Sequence, residues 1–253
     1  MKIRYILSSV ALASLSLTSC SDLDTAPEGN IITSDKKGEI LEEMPERGLA
    51  GVRAIFQGLS AYEPNYEAFG KIERHNDIGY PSVLMFTDAN TEDVVSDPNG
   101  YNWNENSLDY SDRTYTSYES QMVWNDHYNA IYVANTVIKG YNTGEDPTNE
   151  EARFFYAQGL AARAYFYFNL AQLYQFTYKD NETKPCIPVV TDENTAKSQV
   201  EGTPCSTVEE TYTQIKSDID HAITLLEGTS YEREDKRYIS LAVAYGIRAR
   251  VNL

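Results

Sequence analysis

The stretch from Glu151 to Phe176 constrains the fold of this chain more than any other. Ala157, Leu160, Ala161, Ala164, Phe168 and Ala171 fall on one stripe of an α-helix. Small side chains in such a stripe let a second helix approach closely. The other faces carry Phe154, Phe155, Tyr165, Phe166, Tyr167 and Tyr174. A helix that is apolar most of the way round must be covered on more than one side.

The neighbouring segments supply that cover. In residues 121–141, Trp124, Tyr128, Ile131, Asn135 and Ile138 follow at spacings of four, three, four and three, which is one helix face. Pro147-Thr148-Asn149-Glu150-Glu151 reads as a helix start, with Thr148 as the cap and Glu151 completing a capping box. Ser206 and Glu209 form a second such box, ahead of Val208, Tyr212, Ile215, Ile219, Ala222 and Leu226, and Gly228 should end that helix. An earlier helical pattern runs from about Glu39 to Tyr62, with Leu49, Val52, Ile55, Phe56 and Leu59 on one side. A last helix starts near Tyr238 and meets no stop signal before Leu253, as expected of a chain cut off inside a helix of a longer protein.

Between these helices, residues 63–118 are rich in Asn, Asp, Gly, Ser and Tyr, with periodicity only near Ile72 and over Val83 to Phe86. They read as a long loop region, and long ordered loops often carry function. Residues 179–205 form a connection with an extended piece, Ile187 to Thr191. The expected fold class is all-α, built from helix pairs with long loops. The Ala164-x-x-x-Phe168 step is similar to tetratricopeptide repeats, but the Trp and Pro positions of that repeat are mostly absent. A generic helical bundle fits these residues equally well.

The N-terminus sets the compartment. Lys2 and Arg4 precede an apolar run, Tyr5 to Leu17, which ends in Leu17-Thr18-Ser19-Cys20. That order describes a secretory signal peptide. The run is too short to span the ~30 Å hydrocarbon core as a helix. It resembles the lipobox of bacterial lipoproteins, in which the Cys thiol takes a diacylglycerol and the new N-terminus is acylated. Residues 1–19 are thus expected to be removed, residues 20–38 to form a lipidated tether from Cys20, and residues 39–253 to be the incomplete N-terminal part of the helical domain. More than one acyl chain holds a protein firmly to a membrane.

Charge excludes several partners. The chain has 21 basic and 38 acidic residues, a net charge of −17, and loss of Lys2 and Arg4 makes it more acidic still. Binding to phosphate backbones needs clustered Lys and Arg, so no nucleic acid is expected. Anionic lipid surfaces are likewise disfavoured, which leaves membrane residence to the lipid anchor. Acidity does not mean disorder here, because 20 Tyr, 8 Phe and 2 Trp are far more aromatic residues than disordered acidic chains carry. With Cys20 lipidated, Cys186 and Cys205 remain. A disulfide between them would close a loop of about 20 residues, worth ~3 kcal/mol, and sequence leaves its formation open.

Candidate chemistry is sparse. Sugar recognition needs flat aromatic surfaces with short polar side chains beside them. Tyr101, Asn102, Trp103 and Asn104 offer both within one loop. The alternative is that Trp103 packs its loop onto the helices. Asp88-x-Asn90-x-Glu92 has the oxygens of a calcium loop's start, but Asp93 stands where Gly is needed and Asn99 where Glu is needed. It reads as a solvated acidic loop, and no metal is expected. Among 38 acidic residues, carboxylate pairs of the glycosidase kind are inevitable and carry little signal. His75, His127 and His221 are far apart, and there is neither a Gly-x-Ser-x-Gly elbow nor a Gly-rich phosphate loop. No catalytic constellation emerges and no cofactor is expected.

Several segments together resemble one family. Cys20-Ser21-Asp22-Leu23-Asp24-Thr25-Ala26-Pro27 is similar to the mature start of SusD/RagB-type surface lipoproteins of the Bacteroidota. Trp124-x-x-x-Tyr128-Asn129-x-Ile131-x-x-Ala134-Asn135-x-x-Ile138 resembles a helix typical of them. Gly159-x-x-Ala162-Arg163-Ala164-Tyr165-x-Tyr167-Phe168-x-Leu170 resembles the next, with Ile187-Pro188-Val189-Val190-Thr191 after it. Thr207-Val208-x-x-x-Tyr212-x-x-Ile215-x-x-Asp218-Ile219-x-x-Ala222 and Ala249-Arg250-Val251 continue the order.

The resemblance implies a scaffold of tetratricopeptide-type helix pairs and no enzymatic activity. It implies binding of oligosaccharides, sometimes peptides, at the outer-membrane surface. It also implies a SusC-type TonB-dependent barrel as the partner that receives the ligand. Family chains are longer, so this one would hold the N-terminal half. Two other functions remain open on the residues alone: a lipid-anchored glycan hydrolase, and a helical-repeat scaffold that binds protein or peptide.

Overall fold

The computed structural model describes residues 34–60, 77, 79–94 and 104–253. Cys20 and its tether start lie outside them, as do Tyr101, Asn102 and Trp103. The described chain is mostly α-helical, with no β-strand among the described residues, as expected for the all-α class. Its helices are α1 (Ser34–Glu43), α2 (Leu49–Ser60), α3 (Tyr80–Ala89), the single turn α4 (Glu105–Leu108), α5 (Tyr118–Tyr141), α6 (Glu150–Tyr174), α7 (Thr195–Glu201), α8 (Val208–Glu227) and α9 (Leu241–Val251). No described helix is long and apolar enough to cross a membrane.

Helix α6 is the axis of the core. Phe155, Phe166, Tyr167, Leu170 and the alanines between them are buried, and the helix packs mainly against α8 on one side and α5 on another. Helix α9 packs on α8, while α1, α2 and α3 lie against α5. Covering α6 on several sides is what its all-round apolar surface required.

Gly159 sets the closest approach. A Cβ built there would meet Ile138 Cγ1 at 2.9 Å and the Ala134 carbonyl at 3.4 Å. A Gly159→Val variant should therefore lose about 1–3 kcal/mol through overpacking, read as a lower urea midpoint with an unchanged slope.

Helix ends differ from expectation in three places. The pattern from Glu39 to Tyr62 is not one helix: α1 ends at Glu43 and a 3-10 turn, Pro45–Gly48, precedes α2. Pro45 lacks an N–H and disfavours helical geometry at Met44, which sits at φ −136° and ψ 71°. At α6 the cap is Asn149, not Thr148. Asn149 Oδ1 accepts from the N–H groups of Glu151 and Ala152, while Thr148 bonds to the Glu42 carboxylate of α1. At α8 the capping box is Thr207 with Glu210, one residue later than Ser206 with Glu209. Helix α3 and the turn α4 lie inside the stretch expected to be loop.

One buried polar network fixes the connection between α6 and α8. Arg163 on α6 makes two 2.7 Å bonds to the Asp218 carboxylate of α8, through Nε and Nη2. Its Nη1 donates to Asn135 Oδ1 on α5 at 2.8 Å and to Asp192 Oδ1 at 2.9 Å. Asn135 Nδ2 donates to the Val190 carbonyl, and the Val190 N–H donates to the Tyr167 hydroxyl. The extended piece 187–191 is thereby strapped onto α5 and α6. Burial alone would lower the Arg163 pKa, but its bonds and charge interactions with Asp218 and Asp192 raise it above the ordinary value.

Candidate functional site

A cavity of about 1080 Å³ opens between the end of α3, the segment 112–124 and the end of α6. Each wall has a separate local cause. From α6 come Gln172, Leu173 and Tyr174, in the last turn before the helix stops at Tyr174. Trp124 and Gln121 come from α5, whose start is capped by Ser117 accepting the Ser120 N–H at 3.1 Å. Helix α3 contributes Phe86 and Thr87, and Asn90 follows at its C-cap.

Trp124 is the aromatic centre of this wall. Its ring lies 4.7 Å from Tyr128 and 5.1 Å from Tyr174, the latter edge-on at 85°. The Tyr128 hydroxyl donates to the Pro188 carbonyl at 2.7 Å and the Tyr174 hydroxyl to the Ser120 carbonyl. These bonds lock the two rings that flank Trp124. Burial pushes both phenols above their ordinary pKa, so they stay neutral donors. At the rim, Tyr115 is 98% exposed, an unusual state for a large aromatic in a folded chain.

The loop below the rim is a dense polar knot. The Asp112 Oδ2 atom accepts from Ser107 Oγ at 2.6 Å and Asn90 Nδ2 at 3.2 Å, and its backbone carbonyl accepts from the hydroxyls of Ser117 and Ser120. Glu119 accepts from Asn106 Nδ2 at 3.1 Å. The knot holds residues 112–117 in place without a sheet or a long helix. The cavity thus offers aromatic faces beside Asn, Gln, Ser and Thr, which suits a ligand with flat apolar faces and many hydroxyls.

The expected site residues are only partly brought here. Tyr101, Asn102 and Trp103 lie outside the described residues. Asn104 is half-buried at the start of α4, where its carbonyl accepts from Ser107 and Leu108, and it does not line the cavity. Cys186 is buried and Cys205 exposed, and both are free thiols. The two segments are clamped together, with the Cys186 N–H donating to the Ser206 carbonyl at 2.7 Å. The Asn90 side chain bonds Asp112 and Arg113, which ties it to the knot, while its backbone N–H donates to the carbonyls of Phe86 and Asp88 at the end of α3. Sequence reasoning missed Trp124 and Tyr174 as site residues because their periodicity marks them equally well as core.

His127 lies behind the cavity wall, fully buried and edge-on to Phe166 at 5.4 Å. Its Nδ1 is 2.9 Å from the Val123 carbonyl. A carbonyl only accepts, so Nδ1 carries the proton. Burial pushes its pKa down from 6.5 to about 4, with the Val123 bond opposing. Between these values the unfolded chain binds the extra proton and the folded chain does not, so stability falls as pH falls. The contribution is complete above pH 6.5 and about 3 kcal/mol of it drains away on approach to pH 4. Urea unfolding from pH 7 to 4.5 should show this slope, and a His127→Phe variant should show a shallower one.

Residues 78–253 match the family model SusD-like_3, described as "Starch-binding associating with outer membrane". Among solved structures, a SusD-like carbohydrate binding protein from Bacteroides vulgatus aligns with a TM-score of 0.65 and 24% identity, over 81% of this chain and 40% of that one. A SusD superfamily protein from Bacteroides fragilis aligns with a TM-score of 0.63 and 22% identity, over 82% and 45%. A laminarin binding SusD-like protein aligns with a TM-score of 0.57 and 20% identity, over 81% and 39%. This chain therefore spans about two fifths of the length of these structures. The comparison with curated proteins found no match.

Proposed function

Because the chain belongs to the SusD-like family, starch-binding and associating with the outer membrane, we propose that it captures glycans at the cell surface and performs no reaction on them. The cavity lined by Trp124 carries this reading. Pyranose rings have one flat apolar face, which an indole or phenol can cover, and edges of hydroxyls for Asn, Gln and Ser. A structural relative is named as laminarin binding, which adds weight to a polysaccharide ligand. Capture followed by delivery into a SusC-type TonB-dependent barrel completes the proposal, with a lipid on Cys20 holding the protein at the outer membrane. The loop Tyr101 to Asn104 falls in sequence between the cavity residues Asn90 and Asp112 and is a second proposed contact.

Purification of the full-length protein from outer membranes in mild detergent tests delivery. Co-purification of a large TonB-dependent barrel is expected, and recovery of this protein alone would contradict it. The same preparation separates capture from hydrolysis: bound glycan recovered at its original length supports capture, and shortened products support a hydrolase.

A further inference from the structure

Among the described residues, one basic side chain lines the cavity, in a chain whose acidic residues far outnumber its basic ones. That side chain, Arg113, is held from two directions. Its Nε donates to Asn90 Oδ1 at 3.1 Å, and its guanidinium carbon sits 4.0 Å from the centre of the Tyr110 ring. Tyr110 itself has φ +64°, a left-handed conformation that disfavours a side chain of this kind. The turn persists because Ser111 and Asp112 both donate to the Asn106 carbonyl and Ser111 also donates to Asp109 Oδ1. The strained turn places an aromatic face against the guanidinium.

The carboxylates of the same wall are turned inward. Asp112 is 6% exposed and Glu119 4% exposed, and both are bonded within the knot. None of the ion pairs among the described residues involves Arg113. The exposed charged side chain on the cavity wall is therefore that of Arg113, with Asp112 and Glu119 buried behind it, in a chain that carries −17. Nε donates to Asn90 Oδ1 and Nη2 reaches the Asn90 carbonyl at 3.5 Å, so the end of the pinned guanidinium, Nη1 with the second N–H of Nη2, presents the fork that matches the two oxygens of a carboxylate.

We infer that the cavity selects acidic glycans, with Arg113 taking the carboxylate of a uronic acid residue while the sugar ring lies on the aromatic wall. This inference rests on the glycan-binding reading. The net negative charge of the chain opposes approach of a polyanion, but that field is screened beyond about 8 Å at physiological ionic strength, whereas the Arg113 contact is direct.

The test is calorimetric titration of the full-length protein with matched probes. Oligomers of galacturonate, glucuronate-containing chains and mannuronate are each compared with the same chain after reduction of the carboxyl to a primary alcohol, and with neutral laminari-oligosaccharides. At least one uronate probe should bind about tenfold tighter than its reduced form, a difference of about 1.4 kcal/mol. Arg113→Gln should abolish that preference and Arg113→Lys should keep part of it, with the helical circular-dichroism signal of both variants unchanged. Tightest binding to a neutral chain, with affinity unchanged in Arg113→Gln, would overturn the inference and leave glycan capture standing. Binding of no glycan of either kind would remove both.

Discussion

Replacing Arg163 with Ala is expected to cost about 3–5 kcal/mol of stability, because it leaves buried charge without its partner. Asp218 is 3% exposed, and after the substitution Gln214 is the remaining side chain bonded to it. Asp192 loses its bond to Arg163 and Asn135 Oδ1 loses its donor, so the strap over residues 187–191 loosens as well. A domain of this size has only about 5–15 kcal/mol to lose. Urea unfolding at pH 7 measures the effect, and a loss under 1 kcal/mol would show that water reaches the site. A double variant, Arg163→Met with Asp218→Leu, should recover part of the loss, since Asp192 and Asn135 Oδ1 still lack the guanidinium. Well-packed apolar side chains avoid the desolvation of both ions.

Trp124→Ala should abolish glycan binding in practical terms, by about 30-fold or more, as removal of a central aromatic anchor costs 2 kcal/mol or more. The ring is half-buried against Tyr128 and Tyr174, so this variant also loses stability. Tyr115→Ala separates the two effects. Its side chain is almost fully exposed, so stability should change by no more than about 0.5 kcal/mol. Binding should still weaken about tenfold if the rim aromatic covers a sugar ring. Equal binding in wild type, Trp124→Ala and Tyr115→Ala would place the ligand elsewhere.

The long helices were legible because their apolar faces repeat over many turns. Trp124 to Ile138 and Val208 to Leu226 each lie on the helix that their spacing predicts. Cap positions slipped by one residue because Thr148 and Asn149, or Ser206 and Thr207, are near-equal caps by chemistry. Glu42, distant in sequence, decides the first case by taking Thr148. Helix α3 was hidden because Val83, Leu84, Met85 and Phe86 are consecutive, which gives weak periodicity, and because Pro81 suggests a turn while in fact standing in the first helical turn. Arg163 gave a faint signal, as a charge inside an otherwise apolar helix, but its partners Asn135, Asp192 and Asp218 come from three other segments. The cavity was illegible for the same reason. Asn90, Arg113, Trp124 and Tyr174 meet only after α3, α5 and α6 pack.

Glycan-array binding of the full-length protein, wild type against Trp124→Ala, tests the central claim most directly. Saturable binding of at least one polysaccharide class by the wild type, lost in the variant while the helical circular-dichroism signal persists, is the predicted result. Absence of binding to every glycan, or equal binding by both proteins, would contradict it.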